Sequence, residues 1–180
     1  MMDNFEIDSC LKSMSILCDT REKPTGKRAA NRYKSFGCPH SRATLNYGDY
    51  TYNFTLPDGK AFYGDSDAIY PDVCIERKMN LEELSQCFCQ SRARFEREMQ
   101  RATEHGAKIY LLVENASYEN LINGKYKTKF NANAFTASLF AWSARYNITP
   151  IFCKSETSGT LIYNILYREL KERLNRGQYG

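Results

Sequence analysis

Hydrophobic and polar positions along this chain follow two periods in turn. The first third carries short runs of the kind that form strands. Ser15–Asp19 is an apolar run ending in an acid and predicts a buried first strand. Thr20–Gly26 is a polar loop holding Pro24 and Gly26. Lys27–Phe36 predicts a short basic helix, stopped by Gly37 and Pro39. Ala43–Tyr47 and Tyr50–Leu56 predict two strands around Gly48-Asp49, the second placing Tyr50, Tyr52, Phe54 and Leu56 on one face. Pro57-Asp58-Gly59 is a hairpin-type turn, with Lys60–Tyr63 returning as a further strand.

The period then alternates between two and 3.6. Val73–Arg77 predicts a strand, Asn80 caps a helix over Leu81–Cys87, and a longer helix follows over Arg92–His105, stopped by Gly106. Lys108–Glu114 reads as a fully buried strand and Tyr118–Ile122 as a helical turn. Ala132–Tyr146 is a helix with Phe135, Leu139 and Trp142 on one face. Ile148–Cys153 is a strand and Glu156–Leu174 a last helix, whose leucine and isoleucine stripe from Leu161 to Leu174 suits a core face better than a dimer face. Residues 175–180 are expected to fray. Strands that cluster early and then alternate with helices predict one mixed α/β domain over 14–174, with a central sheet covered by helices and an extension over 1–13.

Composition narrows the classes. The 180 residues, 42% hydrophobic, fit one ordinary globular core. No apolar run is long enough for a membrane span, and the acidic start (Asp3, Glu6, Asp8) is unlike a signal peptide, which predicts an intracellular protein that is not secreted. Seven scattered cysteines fit free thiols in a reducing compartment. Neither Cys38-Pro39-His40 nor Cys87-Phe88-Cys89 has finger spacing, so no structural zinc is expected. Cys74 is expected in a strand, as a small buried apolar residue. The net charge of +4 is weakly informative. Its distribution says more. Arg21, Lys23, Lys27, Arg28, Arg32 and Lys34 stand against Glu22 alone, and Arg92, Arg94, Arg97 and Arg101 stand against Glu96 and Glu98. Two basic clusters flanking a carboxylate motif predict contacts to a phosphate backbone.

The carboxylate motif is Glu76-Arg77-Lys78. On a strand, Glu76 and Lys78 share one face and Arg77 takes the other. Phosphodiester hydrolysis uses a hard cation held by few carboxylates and a cation beside the attacked phosphate. Asp49, after Gly48 at a bend, is the leading second carboxylate. Asp19 and Glu22, in Asp19-Thr20-Arg21-Glu22, form a third acidic feature, with loop capping as the competing role for Asp19. Glu82 and Glu83 open a helix, where acids suit the helix dipole whatever the function.

Three stretches in order carry a resemblance. Ile16-Leu17-Cys18-Asp19-Thr20-Arg21-Glu22, Leu45-Asn46-Tyr47-Gly48-Asp49-Tyr50 and Val73-Cys74-Ile75-Glu76-Arg77-Lys78 resemble the nuclease domain of the XPF-type and Hef-like structure-specific endonucleases, whose signature is GDX(n)ERKX(3)D, a variant of the PD-(D/E)xK core. Arg92–Arg101 and Tyr110–Glu114 continue the similarity, which runs over about residues 15–153. The resemblance implies a restriction-endonuclease-like fold and Mg²⁺- or Mn²⁺-dependent cleavage of branched, flapped or forked DNA in repair, recombination or replication. It implies Asp49 and Glu76 as metal ligands and Lys78 as the residue that orients water or stabilises charge. Arg77 supports the site or touches DNA, and Asp19 and Glu22 line it. Arg21, Lys27, Arg28, Arg92, Arg94, Arg97 and Arg101 are the expected DNA contacts. The last aspartate of the signature falls at Glu82; a slip of one residue selects Glu83, and Asp19 is a further candidate for the third acid. Pro71-Asp72 spells the "PD" of the superfamily but stands so close to Glu76 that a strand-start role outranks metal binding. The insert between Asp49 and Glu76 is longer than in compact members, and no helix-hairpin-helix pattern follows Leu174. Family members often pair through this domain, so a homodimer or partner subunit is also implied.

Two alternatives remain at this level. One is a non-catalytic DNA-binding or regulatory module of the same fold, although such partners usually lose the positions of Asp49, Glu76 and Lys78. The other is a junction-resolvase or restriction-like nuclease on the same core.

Overall fold

A computed structural model describes residues 2–22, 27–64 and 66–180, and of Lys27 and Arg28 the backbone alone. The expected loop over 20–26 therefore lies partly outside the described residues, at 23–26. In chain order the elements are α1 (Asn4–Lys12), β1 (Ser15–Asp19), α2 (Lys27–Lys34), β2 (His40–Ala43), β3 (Tyr50–Asn53), β4 (Val73–Lys78), α3 (Leu81–Phe88), α4 (Arg92–Glu104), β5 (Lys108–Glu114), α5 (Tyr118–Ile122), α6 (Ala132–Tyr146), β6 (Ile148–Cys153) and α7 (Ser158–Asn175).

The strands form one mixed sheet in the order β2-β1-β3-β4-β5-β6. Strand β3 runs antiparallel to both β1 and β4, while β4, β5 and β6 run parallel. Parallel neighbours need long crossovers, and α3–α4 and α5–α6 supply them. Alternation along β4 sends Cys74 to one side and Val73 and Ile75 to the other. On the Cys74 side lie α3, α4, α5 and α6, with Phe88, Phe95, Phe135 and Trp142 in their core. On the Ile75 side lie α1 and α7, with Ile7, Leu11, Ile162, Leu166 and Leu170. The stripe on α7 is thus largely core, with Ile162, Leu166, Leu170 and Leu174 buried and Leu161 and Ile165 half-buried.

Local signals explain the ends of several elements. Asn80 caps α3 by accepting from the Glu83 amide at 2.9 Å. At α1, Asp3 accepts from the Glu6 amide at 2.8 Å and Glu6 accepts from the Asp3 amide at 2.9 Å, a capping box. With Ile7, Cys10 and Leu11 buried at helical spacing, that box makes residues 4–12 a packed helix, where only an extension was expected.

Other expectations shift. The strand expected over Ala43–Tyr47 lies earlier, at β2, and Leu45 keeps only an isolated bridge to Ile69. Strand β2 is an edge, exposed over His40–Arg42, so it needs no apolar alternation and shows none. The strand expected over Lys60–Tyr63 reduces to one bridge, Thr55 to Ala61. The tail does not hang free. Tyr179 packs on Phe54 and Phe62, at ring separations of 5.6 and 4.5 Å, and its hydroxyl meets that of Tyr52. Among the described residues no helix is long and apolar enough to cross a membrane.

Candidate active site

Strand β4 carries its chemistry past its apolar half. Glu76 and Lys78 follow Cys74 onto the α3–α4 side of the sheet, and their side chains form an ion pair. Glu76 is only 4% exposed. Arg77 follows Ile75 to the other side, as the alternation requires.

Asp49 reaches the same place through a turn. Gly48 has a φ of +75°, and a Cβ there would stand 2.7 Å from Cys74 Cβ. Glycine is required on both counts, which lets the chain close tightly against β4. The Asp49 amide then donates to the Ile75 carbonyl at 2.8 Å, and the Asp49 carbonyl accepts from the Asp19 amide at 2.8 Å. The Asp49 carboxylate accepts from the Arg77 amide at 2.7 Å. Asp49 is thus stitched between the ends of β1 and β4.

These residues open on a cleft of about 280 Å³. Its lining includes Asp19, Glu22, Asp49, Glu76, Glu83 and Glu98, opposed by Arg21, Lys78 and Arg94. Burial raises the Asp49 carboxyl well above the ordinary aspartate value, and the charges of Glu76 and Glu22 add to this. Burial also raises the Glu98 carboxyl, with Glu76 adding to it. Lys78 goes the other way: burial disfavours its charge, but Glu76, Cys87 and Asp49 outweigh burial and hold its pKa above the usual lysine value. Its ammonium also stands 5.1 Å from the centre of the Phe95 ring.

Crowded, buried carboxylates facing solvent suit a divalent cation. Among the described residues no three acidic, histidine or cysteine side chains form a ready-made cage. Mg²⁺ does not need one, since it binds through one or two carboxylates with waters and substrate phosphates. Asp49 and Glu76 are an oxygen donor pair of that kind.

The remaining candidates divide. Asp19 lines the cleft and also caps the loop: one carboxylate oxygen accepts from the Leu45 amide at 3.1 Å, the other is paired with Arg21. The loop-capping role is thus present, at a position on the cleft wall. Glu82, the position of the signature's last acid, points elsewhere. Its carboxylate accepts from the Lys127 amide at 2.9 Å and does not line the cleft. Glu83 does line it, while accepting from the Met79 amide at 2.7 Å. A helix advances 100° per residue, so the two neighbours cannot face one cleft together. Asp72 belongs to the other end of β4, where Tyr52, Tyr63 and Arg173 bind it.

Of the basic residues, Arg21 and Arg94 reach the cleft. Arg101 is exposed and donates to the Asn46 carbonyl at 3.2 Å. Arg97 is exposed away from the cleft lining, and the Arg92 guanidinium lies over Trp142, 5.5 Å from the ring centre. The side chains of Lys27 and Arg28 lie outside the described residues. Arg32, counted within the first basic cluster, is internal instead. It is 5% exposed and pairs with Glu114 at 3.1 Å.

That pair closes a ring. Arg32 donates to the Tyr50 hydroxyl at 3.3 Å, which donates to Glu22 at 3.0 Å. Arg77 donates to Glu22 at 3.3 Å and to Glu114 at 3.2 Å. Arg77 therefore lies behind the cleft, bonded to Glu22 and Glu114. Sequence reasoning missed Glu98 and the Arg32–Glu114 pair. Glu98 carried one available signal: Ser91, Arg94, Phe95 and Glu98 fall at helical spacing and all line the cleft. Glu114 carried another, as an acid ending a buried strand.

Comparison with known proteins follows the same lines. The family model described as ERCC4 domain matches residues 18–165. Two solved structures share the fold. XPF from Aeropyrum pernix is 19% identical at a TM-score of 0.55, over 86% of this chain and 60% of that one. XPF from Aeropyrum pernix in complex with DNA is 18% identical at 0.57, over 88% and 65%. This chain thus spans less than two thirds of the length of either. No curated protein matches. The mixed sheet flanked by helices is the XPF nuclease fold. The family match spans most of the chain, which therefore belongs to the ERCC4 domain family and is an XPF-type nuclease domain.

Proposed function

We propose that this domain is a Mg²⁺- or Mn²⁺-dependent endonuclease that hydrolyses phosphodiester bonds in DNA of branched, flapped or forked form, in repair, recombination or replication. The observation that carries the reading is that Asp49, Glu76 and Lys78 line one cleft, with Lys78 paired to Glu76. In this reading Asp49 and Glu76 hold the cation. A cation held there would supply Lewis acidity to the phosphate and lower the pKa of a water nearby. Lys78 keeps its proton, since its neighbours hold its pKa high, and its charge offsets the negative charge that develops on the phosphate oxygens. Arg77, behind the strand, keeps Glu22 in place. Arg94 and Arg21, at the cleft, meet the phosphate backbone, and exposed Arg101 on α4 adds to them. The DNA in the complex of the Aeropyrum pernix XPF supports DNA as the partner.

The test is a cleavage panel of single-stranded, duplex, flap, fork and four-way DNA with Mg²⁺ and with Mn²⁺. Asp49→Asn, Glu76→Gln and Lys78→Ala are each expected to abolish cutting without loss of fold. Full activity of Glu76→Gln overturns the reading. Calorimetry with Mn²⁺ separates it from a non-catalytic binding module, which would bind DNA but no metal at Asp49 and Glu76.

A further inference from the structure

We propose that Glu98 is a positioning residue: it holds the Gly48–Asp49 turn that brings the Asp49 carboxylate to the cleft. Glu98 stands on α4, fifty residues from the turn, and its carboxylate accepts from the Gly48 amide at 3.2 Å. Other bonds fix the two ends of the turn, from the Asn46 amide to the Ile69 carbonyl and from Asp49 to β1 and β4, and Glu98 is the partner of the Gly48 amide between them. Gly48 belongs to no strand and lies against Cys74 in a left-handed conformation, and its amide would be without a partner if Glu98 were removed. Two residues earlier, Arg101 of the same helix donates to the Asn46 carbonyl at 3.2 Å. Helix α4 thus grips this loop twice, once with an acceptor and once with a donor.

The grip is only as firm as the helix. Phe95 stacks on Trp142 at 5.4 Å, and Met99 and Ala102 are buried, so the face of α4 beside Glu98 is anchored in the core. Hydrogen bonds to groups that present a metal ligand fix its orientation. Glu98 acts here through the backbone of the neighbouring residue. What the role requires is an acceptor oxygen at that place, not a negative charge.

That distinction makes the test. Glu98→Gln keeps an acceptor oxygen and Glu98→Ala removes it, while alanine favours the helix and keeps the fold. Amide hydrogen exchange over residues 45–50 is read in the metal-free protein, and Mn²⁺ affinity is read by calorimetry. In Glu98→Ala, exchange at Gly48 is expected to quicken by about tenfold. Mn²⁺ affinity is expected to fall by about tenfold or more, with cleavage losing kcat rather than KM. Glu98→Gln is expected to stay close to the parent in all three. Unchanged Gly48 exchange in Glu98→Ala overturns the proposal, and so does a Glu98→Gln protein that behaves like Glu98→Ala, since charge would then be the active property. The metal readout rests on the nuclease reading above, but the exchange readout does not. A parent protein that binds no Mn²⁺, with exchange altered as expected, upholds the turn-holding role and removes the metal reading alone.

Discussion

The carboxylate of Asp49 accepts a hydrogen bond from the backbone amide of Arg77 at 2.7 Å. One bond therefore joins the two halves of the signature, Gly48-Asp49 and Glu76-Arg77-Lys78, before any ligand is involved. Two substitutions at Asp49 should differ as a result. Asn keeps an acceptor and removes the charge, so Asp49→Asn is expected to fold with near-parent stability and to lose cleavage. Asp49→Ala leaves the Arg77 amide without a partner and is expected to lose cleavage and also about 1–3 kcal/mol of stability. Urea unfolding of both variants checks this; equal stability would show that the bond contributes nothing.

Stability and metal binding should depend on pH through Asp49 and Glu98. The folded-state pKa of Asp49 is raised by burial and by Glu76 and Glu22, and that of Glu98 by burial and Glu76. A raised carboxyl favours the folded state while protonated. The contribution is fully present below the unfolded aspartate value and is lost as pH rises through the folded value. The metal-free protein is therefore expected to lose stability as pH rises above the ordinary carboxylate range. A bound cation reverses the penalty, so stabilisation by Mn²⁺ should grow over the same range. Thermal melts across pH, with and without Mn²⁺, read both trends.

Side-chain direction separates the two candidates for the third acid on α3. Glu82 is bonded to the Lys127 amide, while Glu83 lines the cleft. Glu82→Gln is expected to leave Mn²⁺ affinity within about twofold, within the range of surface substitutions. Glu83→Gln is expected to weaken it more. Calorimetry on the two variants orders them, and the reverse order would return the signature acid to Glu82.

Two arginines two residues apart should separate in DNA binding. Arg94 lines the cleft and Arg92 lies over Trp142. Arg94→Ala is expected to weaken DNA binding for all sequences and to lower the salt dependence by about one phosphate contact. Arg92→Ala is expected to leave that slope unchanged and to cost about 0.5–1 kcal/mol of stability through the lost cation–π contact. Fluorescence anisotropy at several salt concentrations distinguishes them.

The ring behind β4 is a stability element. Arg32 and Glu114 are both buried, and Arg77 shares the same carboxylate. Arg32→Met removes one of the two cations on the buried Glu114 carboxylate and leaves Arg77, so it is expected to cost about 1–3 kcal/mol. Glu22 would lose the support that Tyr50 relays from Arg32, and cleavage should fall by more than the unfolded fraction explains. Denaturant titration beside kinetics at a temperature where the variant is folded measures the two separately.

Local patterning determined much of this protein. Strands β5 and β6 and helices α5 and α6 fall where periodicity puts them, because repeats of two and 3.6 are properties of neighbouring residues. The same alternation placed Glu76 and Lys78 together and Arg77 opposite, and the ordered motifs named the family. Tertiary structure decided the rest. Glu98 bonds a residue fifty positions away, and Arg32 meets Glu114 across eighty-two. Nothing in the local pattern of either residue names such a partner, so Arg32 looked like one more surface charge. Tyr179 closes on Phe54 and Phe62 for the same reason, in a tail whose own composition predicts fraying. Strand order, and with it the convergence of Asp19, Asp49 and Glu76 on one cleft, comes from packing two helical layers on one sheet. The residue types were legible one at a time; the distances that make them a site arise only when the chain is closed.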